Sequence, residues 1–323
     1  MTVNTPRRNP SRTGAVSRRR LLTGLVVTPL LAAAVAACGD PDTEPAATDP
    51  TTGPTATDPT ATDPTATSTP GAAITYPTDA TTAVVRYAYE GGFVPVEVAF
   101  TQLPNLVVSG DGRVYRPAAT TAIYPGPLVQ PFTVRTITDE GVQTLLALAD
   151  EHGLLAPPPD YSAELNIADA PDTVVRLQAA DGSYEHRAYA LGIAAADDDP
   201  ESELTEPRRQ LARFVQALVA LEDTVGAAAL GEETIVEPEA YRLRATPVDE
   251  STLGGLEVEP TFVDWPAAAG LDLATASSCA TVTATQVGDT FADATQTTYF
   301  RQDGATYQLA VAIVLPGDAG CDS

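Results

Sequence analysis

Apolar and polar residues alternate along several short stretches of this chain. Val94, Val96, Val98 and Phe100 are separated by Pro95, Glu97 and Ala99. Tyr241, Leu243 and Ala245 are separated by Arg242 and Arg244, and Tyr307, Leu309, Val311 and Ile313 alternate further on. A period of two places one set of side chains on one side of an extended chain, so each stretch predicts a strand with one buried face. Asp111-Gly112, Asp181-Gly182 and Asp303-Gly304 lie beside β-like runs. Asp-Gly supplies the positive φ of tight hairpins, which predicts antiparallel pairing rather than a doubly wound parallel sheet.

Two stretches carry a helical period instead. From Asp139 to His152, Val142, Leu145, Leu146 and Ala149 form one stripe. Thr138 caps the start, Asp139 and Glu140 suit the positive end, and Gly153 stops the helix. From Pro207 to Asp223, Leu211, Phe214, Val215, Leu218 and Leu221 share a face, and Arg208, Arg209 and Arg213 follow the acidic run Asp197 to Glu203. The order is strands, helix, strands, helix, strands. It predicts an α+β fold, antiparallel sheets with two main helices packed on them. A stretch rich in Ala, Gly and Glu from Gly226 to Thr234 suggests two lobes: an α+β lobe over 82–230 and a β-rich lobe over 231–323.

None of this patterning exists before residue 82. Ser17-Arg18-Arg19-Arg20-Leu21-Leu22 matches the twin-arginine export pattern, with Arg18 and Arg19 as its pair. The uncharged stretch Leu21 to Ala37 is shorter than the roughly 20 residues of a membrane helix. It ends in Val35-Ala36-Ala37-Cys38, which resembles the lipobox of bacterial lipoproteins. The expectation is a signal peptide over 1–37, cleavage before Cys38, and a diacylglyceryl thioether on Cys38 that anchors the chain to the outer face of the plasma membrane. Residues 38–81 then read as a tether of Thr, Pro, Asp and Ala, with Ala56-Thr57-Asp58-Pro59-Thr60 repeated at Ala61-Thr62-Asp63-Pro64-Thr65. Such residues bury too little apolar surface to offset ordering entropy. The prolines favour an extended spacer with a reach on the order of 100 Å.

Charge and residue choice restrict the chemistry. Net charge is -25, from 43 acids and 18 basic residues. Arg7, Arg8, Arg12, Arg18, Arg19 and Arg20 precede Cys38 and no acid does, so cleavage leaves the mature chain still more acidic. That surface repels phosphate backbones and excludes nucleic acid as a partner. Lysine is absent, which excludes Schiff-base and Ser-Lys chemistry. His152 and His186 are the only histidines and form no His-Glu-x-x-His frame. His152 is expected in the last helical turn and His186 as a half-exposed strand residue, with a Ser-His-Asp triad through His186 left open. Ser109 and Ser183 sit beside hairpin glycines, not in a Gly-x-Ser-x-Gly elbow. The run Asp197 to Glu203 lacks the spacing of an EF-hand and reads as a solvated loop. No catalytic, cofactor or metal site is assigned.

Cys279 and Cys321 are the two cysteines beyond Cys38. Outside the membrane such a pair is expected as a disulfide; two free thiols or a metal pair are the alternatives. Tyr76, Tyr87, Tyr89, Phe93, Tyr115 and Tyr124 give the first lobe a high aromatic share, suited to a groove but at strand spacing expected mostly in the core.

A further set of motifs spans most of the chain from about residue 83. It comprises Tyr87-x-x-x-Gly91-Gly92-Phe93, Ser109-Gly110-Asp111-Gly112-Arg113-Val114-Tyr115, Tyr189-Ala190-Leu191-Gly192, Asp264-Trp265-Pro266, Cys279 and Leu315-Pro316 with Cys321. The set resembles a group of uncharacterised exported lipoproteins of high-GC Gram-positive bacteria. The resemblance implies location and architecture, and no activity or site residue. The expected function is a non-enzymatic module, anchored to the membrane by its lipid, that binds a cell-wall or envelope partner. The alternatives are a cell-envelope hydrolase using scattered acids or His186, and a structural protein of wall assembly.

Overall fold

A computed structural model describes residues 73–321 apart from 164, 166, 180, 192–204 and 256. The leader over 1–37 with Arg18 and Arg19, the lipidation position Cys38, the tether up to 72 and the acidic run 197–203 lie outside the described residues.

Seven strands form an antiparallel sheet: β1 (Ala83–Glu90), β2 (Leu106–Ser109), β3 (Arg113–Pro117), β4 (Phe132–Thr136), β5 (Asp172–Ala179), β6 (Gly182–Tyr189) and β7 (Thr234–Ile235). Their order is β6-β5-β1-β2-β3-β4-β7. Five more, β8 (Ala240–Val248), β9 (Thr261–Asp264), β10 (Ala280–Thr283), β11 (Thr298–Gln302) and β12 (Ala305–Ile313), form a second sheet ordered β10-β8-β12-β11-β9. Four helices are relevant below: α1 (Val96–Thr101), α2 (Asp139–Glu151), α3 (Glu206–Val219) and α4 (Leu221–Val225). The fold is α+β, as the order of patterns predicts. Among the described residues, no helix is long and apolar enough to cross a membrane.

Local signals placed many of these elements. The three Asp-Gly pairs turn β2 into β3, β5 into β6 and β11 into β12, all antiparallel. Tyr241 to Ala245 lies within β8, and Tyr307 to Ile313 within its neighbour β12. Thr138 Oγ1 accepts the Gly141 N–H at the start of α2, which buries Val142, Leu145, Leu146 and Ala149.

Other expectations fail for identifiable reasons. Val94 to Phe100 is not a strand. Gly91 and Gly92 take φ of 76° and 83°, which ends β1, and the chain turns into α1 after Pro95. Helical geometry breaks the period-two alternation and α1 buries none of its residues, with Val96 and Val98 61% and 48% exposed; Phe93, in the turn before it, is 87% exposed. Short apolar runs do not separate helix from strand by period alone. The second long helix divides at Ala220 (φ -90°, ψ 45°) into α3 and α4. Side chains take over the freed carbonyls: Thr224 Oγ1 donates to Ala217 O, and Arg116 Nη2 donates to Leu218 O and Val219 O. Residues 74–81, assigned above to the tether, already pack on the domain, where Gln143 exchanges two hydrogen bonds with the Ile74 backbone. The second sheet is mixed, because β9 and β11 run parallel. The change from one sheet to the other falls between Ile235 and Ala240, after β7 has joined β4.

One face of the seven-stranded sheet packs on α2 and α3 around Leu106, Val108, Val114, Val175, Leu145 and Phe214. The opposite face meets the second sheet through a smaller core of Val107, Tyr115, Phe132, Ile313 and Leu315. That second contact covers only part of the sheet, and a cleft remains beside it.

Candidate functional site

The cleft has a volume of about 760 Å³ and lies where β3, β4 and β7 meet the chain leading into β8 and out of β12. Antiparallel register builds its floor. Arg113 faces Thr136 and Tyr115 faces Val134, and Val134 in turn faces Thr234. Alternation along each strand puts these five side chains on one side of the sheet, the side away from α2 and α3. Glu232, Glu237 and Glu239 also line the cleft. Arg113 is paired with Asp111 at 3.0 Å, and its pKa is raised, first by Tyr115 and then by the Asp111 charge. Arg135 is paired with Glu222 at 2.6 Å and donates to Gly231 O at 3.2 Å.

The segment after β12 forms the facing wall. Val314 N–H donates to Ala240 O at 3.0 Å, and Gly317 N–H donates to Thr81 O at 2.8 Å. Gly317 has φ 77°, and a Cβ there would stand 2.7 Å from Ala83 Cβ, so this close approach requires glycine. Asp318 accepts from Leu315 N–H at 2.9 Å and pairs with Arg86 at 2.9 Å. Cys321 is joined to Cys279, with Cα atoms 5.3 Å apart.

His186 sits elsewhere and departs from its expectation. It is 0% exposed, not half-exposed. Its Nε2–H donates to Leu154 O at 2.8 Å, and Tyr161 Oη–H donates to Nδ1 at 2.7 Å. A carbonyl accepts only, so Nε2 carries a proton; burial favours the neutral ring, in which Nδ1 accepts from Tyr161 and both nitrogens are satisfied. Arg208 extends the network: Nη1 donates to Tyr161 O and Nη2 to Tyr189 O, both at 2.9 Å. Arg208 is 1% exposed and burial lowers its pKa. The network ties β6, the segment before β5 and α3 together, and none of its groups opens into the cleft. From the sequence Arg208 was noted only with Arg209 and Arg213 behind the acidic run, although helical spacing puts it on the stripe of Leu211, Val215 and Leu218.

Burial holds the His186 pKa below its ordinary value, with the Leu154 hydrogen bond opposing. The sign of the pH dependence follows. Between the folded and unfolded pKa the unfolded chain binds the extra proton, so stability is full above the unfolded value near 6.5 and is lost as pH falls towards the folded one. A ring titration by NMR should find the Nε2–H tautomer persisting below that pH; a midpoint at or above it would contradict the buried network.

The remaining sequence candidates are spread out. His152 ends α2 and its Nδ1 pairs with Gln210 Oε1 at 2.5 Å. Ser109 is buried and donates to Asp111, while Ser183 donates to Gln178. Tyr87 and Tyr115 are core residues, Tyr76 and Tyr89 are partly buried against the core, and Phe93 and Tyr124 are exposed. Glu90 holds Arg176 and Arg187 across three strands, and these hydrogen bonds bring its pKa down to about 2. Among the described residues, no three His, Cys, Asp or Glu side chains are grouped to hold a metal. Comparison with protein-family models, curated proteins and solved structures returned no match.

Proposed function

We propose that this chain is an exported lipoprotein, held at the outer face of the plasma membrane by a diacylglyceryl group on Cys38, whose tethered domain is a non-enzymatic binding module for an envelope partner. The anchoring half rests on the sequence: the twin arginines Arg18 and Arg19, the uncharged leader, the lipobox-like Val35-Ala36-Ala37-Cys38 and the spacer behind it. The binding half is carried by one observation, the open cleft whose floor mixes Tyr115 and Val134 with charged and hydroxyl groups. Recognition surfaces have this composition, apolar contact area edged by polar groups that set specificity. The acidic balance disfavours nucleic acid. A hydrolase working through His186 draws no support from a ring that is buried and hydrogen-bonded at both nitrogens.

Both halves are open to test. Mass spectrometry of the mature N-terminal peptide should show a lipid on Cys38, and Cys38→Ala should release the domain or leave the leader uncleaved. A full-length unmodified chain inside cells would sink the anchoring half. A photo-crosslinking residue at Thr234 in intact cells should capture a partner that one at Val219, exposed on the helical side, does not. Equal labelling at the two positions, or none at Thr234, would sink the binding half.

A further inference from the structure

We propose that the cleft takes an extended polypeptide segment with basic side chains, added as a further strand to the outer edge of β7. This rests on the binding reading above and names the ligand class for the same cleft.

The register of β7 supplies the first ground. Thr133 faces Ile235 and Val134 faces Thr234, and Val236 N–H donates to Phe132 O at 2.8 Å. Bonded and non-bonded pairs alternate in an antiparallel ladder. The backbone groups of Thr234 and Val236 therefore turn towards β4, and those of Ile235 turn outward. β7 is the last strand of its sheet, and Ile235, 62% exposed, lines the cleft. An outward N–H and C=O at a sheet edge form a template for strand addition. Pro238 follows closely and has no N–H to offer, so the edge accepts a short segment.

Charge supplies the second ground. The two arginines of the cleft are already matched, Arg113 by Asp111 and Arg135 by Glu222. Glu232, Glu237 and Glu239 are exposed along the cleft, and among the described residues none of the three forms an ion pair or a side-chain hydrogen bond, the Glu239 charge acting on Arg113 only at longer range. Unmatched negative charge beside an unpaired strand edge complements Lys or Arg on the incoming chain. The edge strand sets the spacing. Successive side chains of a strand point to opposite sides, so one set lies on the Thr234 side of the edge, over the cleft and its acidic rim, while the other lies beside the exposed Ile235. A segment alternating basic and apolar residues satisfies both.

The test uses the full-length protein in detergent micelles and two fluorescein-labelled hexapeptides, Arg-Val-Arg-Val-Arg-Val and Glu-Val-Glu-Val-Glu-Val, read by fluorescence anisotropy at low and physiological ionic strength. The basic peptide is expected to bind at least about tenfold more tightly, and less so as salt screens the rim. Ile235→Pro removes the outward N–H together with the isoleucine side chain, a substitution that edge strands tolerate, and is expected to weaken binding by about tenfold. Should that variant fail to fold, Glu237→Gln with Glu239→Gln is expected to weaken binding several-fold and flatten the salt dependence. Equal binding of the two peptides overturns the proposal, as does undiminished binding by whichever of these variants folds. A partner crosslinked at Thr234 in cells, together with no binding of the basic peptide, overturns this inference and leaves the binding reading standing.

Discussion

Replacing Asp318 with alanine is expected to destabilise the domain by about 3 kcal/mol, the lower part of the range for breaking a buried ion pair. The Asp318 side chain is 3% exposed and its partner Arg86 14% exposed, with Nη2 and Oδ1 2.9 Å apart. Arg86 Nη1 is buried without a hydrogen-bond partner, so loss of the carboxylate leaves a largely desolvated guanidinium on β1. The same carboxylate accepts the Leu315 N–H, which alanine also leaves unpaired. For a domain of this size, the loss corresponds to roughly 6–12 °C in Tm. Chemical denaturation with an unchanged m-value checks it. Arg86→Met combined with Asp318→Leu should recover part of the loss, because an apolar pair removes the stranded charge but leaves the Leu315 N–H without its acceptor. A single Asp318→Ala change within about 0.5 kcal/mol of the parent would show that the pair holds nothing in place.

Removing the disulfide by Cys279→Ser is expected to cost about 4 kcal/mol in the chain-entropy model, given a separation of 42 residues between Cys279 and Cys321. Its mechanism differs from that of the ion pair. The bond acts mainly by restricting the unfolded chain, so the contacts of the folded state persist until the tail opens. Hydrogen exchange should then quicken first at the Leu315 and Gly317 amides, whose acceptors are Asp318 and Thr81. Both changes act on the segment that walls the cleft, so Cys279→Ser with Asp318→Ala should cost less than the two single losses added. Strict additivity would mean that the tail is not one cooperative unit.

Legibility followed the range of the interaction. Hairpins at Asp111-Gly112 and Asp303-Gly304 depend on a backbone conformation two residues can impose, with φ of 75° and 80° at the glycines, while β5 turns into β6 just before Gly182, which already pairs with Ala179. The α2 cap is equally local, Thr138 to Gly141. The stretch Val94 to Phe100 misled because its pattern is compatible with a strand, while the turn imposed by Gly91 and Gly92 decided otherwise. The candidate site was not legible. Tyr115, Glu237 and Leu315 stand far apart in the chain and meet only because β4 pairs with β7 and the tail after β12 crosses under β1. Acidic composition allows cations and basic partners but selects neither, because solubility accounts for such a balance until the paired and unpaired charges are placed.

The amino-acid sequence by itself determined the α+β class, the hairpins, the long capped helix and the supply of just two cysteines beyond Cys38. These follow from side-chain period, turn chemistry and composition, which act over a few residues. Tertiary structure alone decided that His186 and Arg208 are buried together, that Arg86 meets Asp318, that β9 lies parallel to β11 and that β7 leaves an open edge beside a cleft. The reason is physical: burial and sheet order depend on which distant segments exclude water from one another, and no short stretch of sequence carries that information.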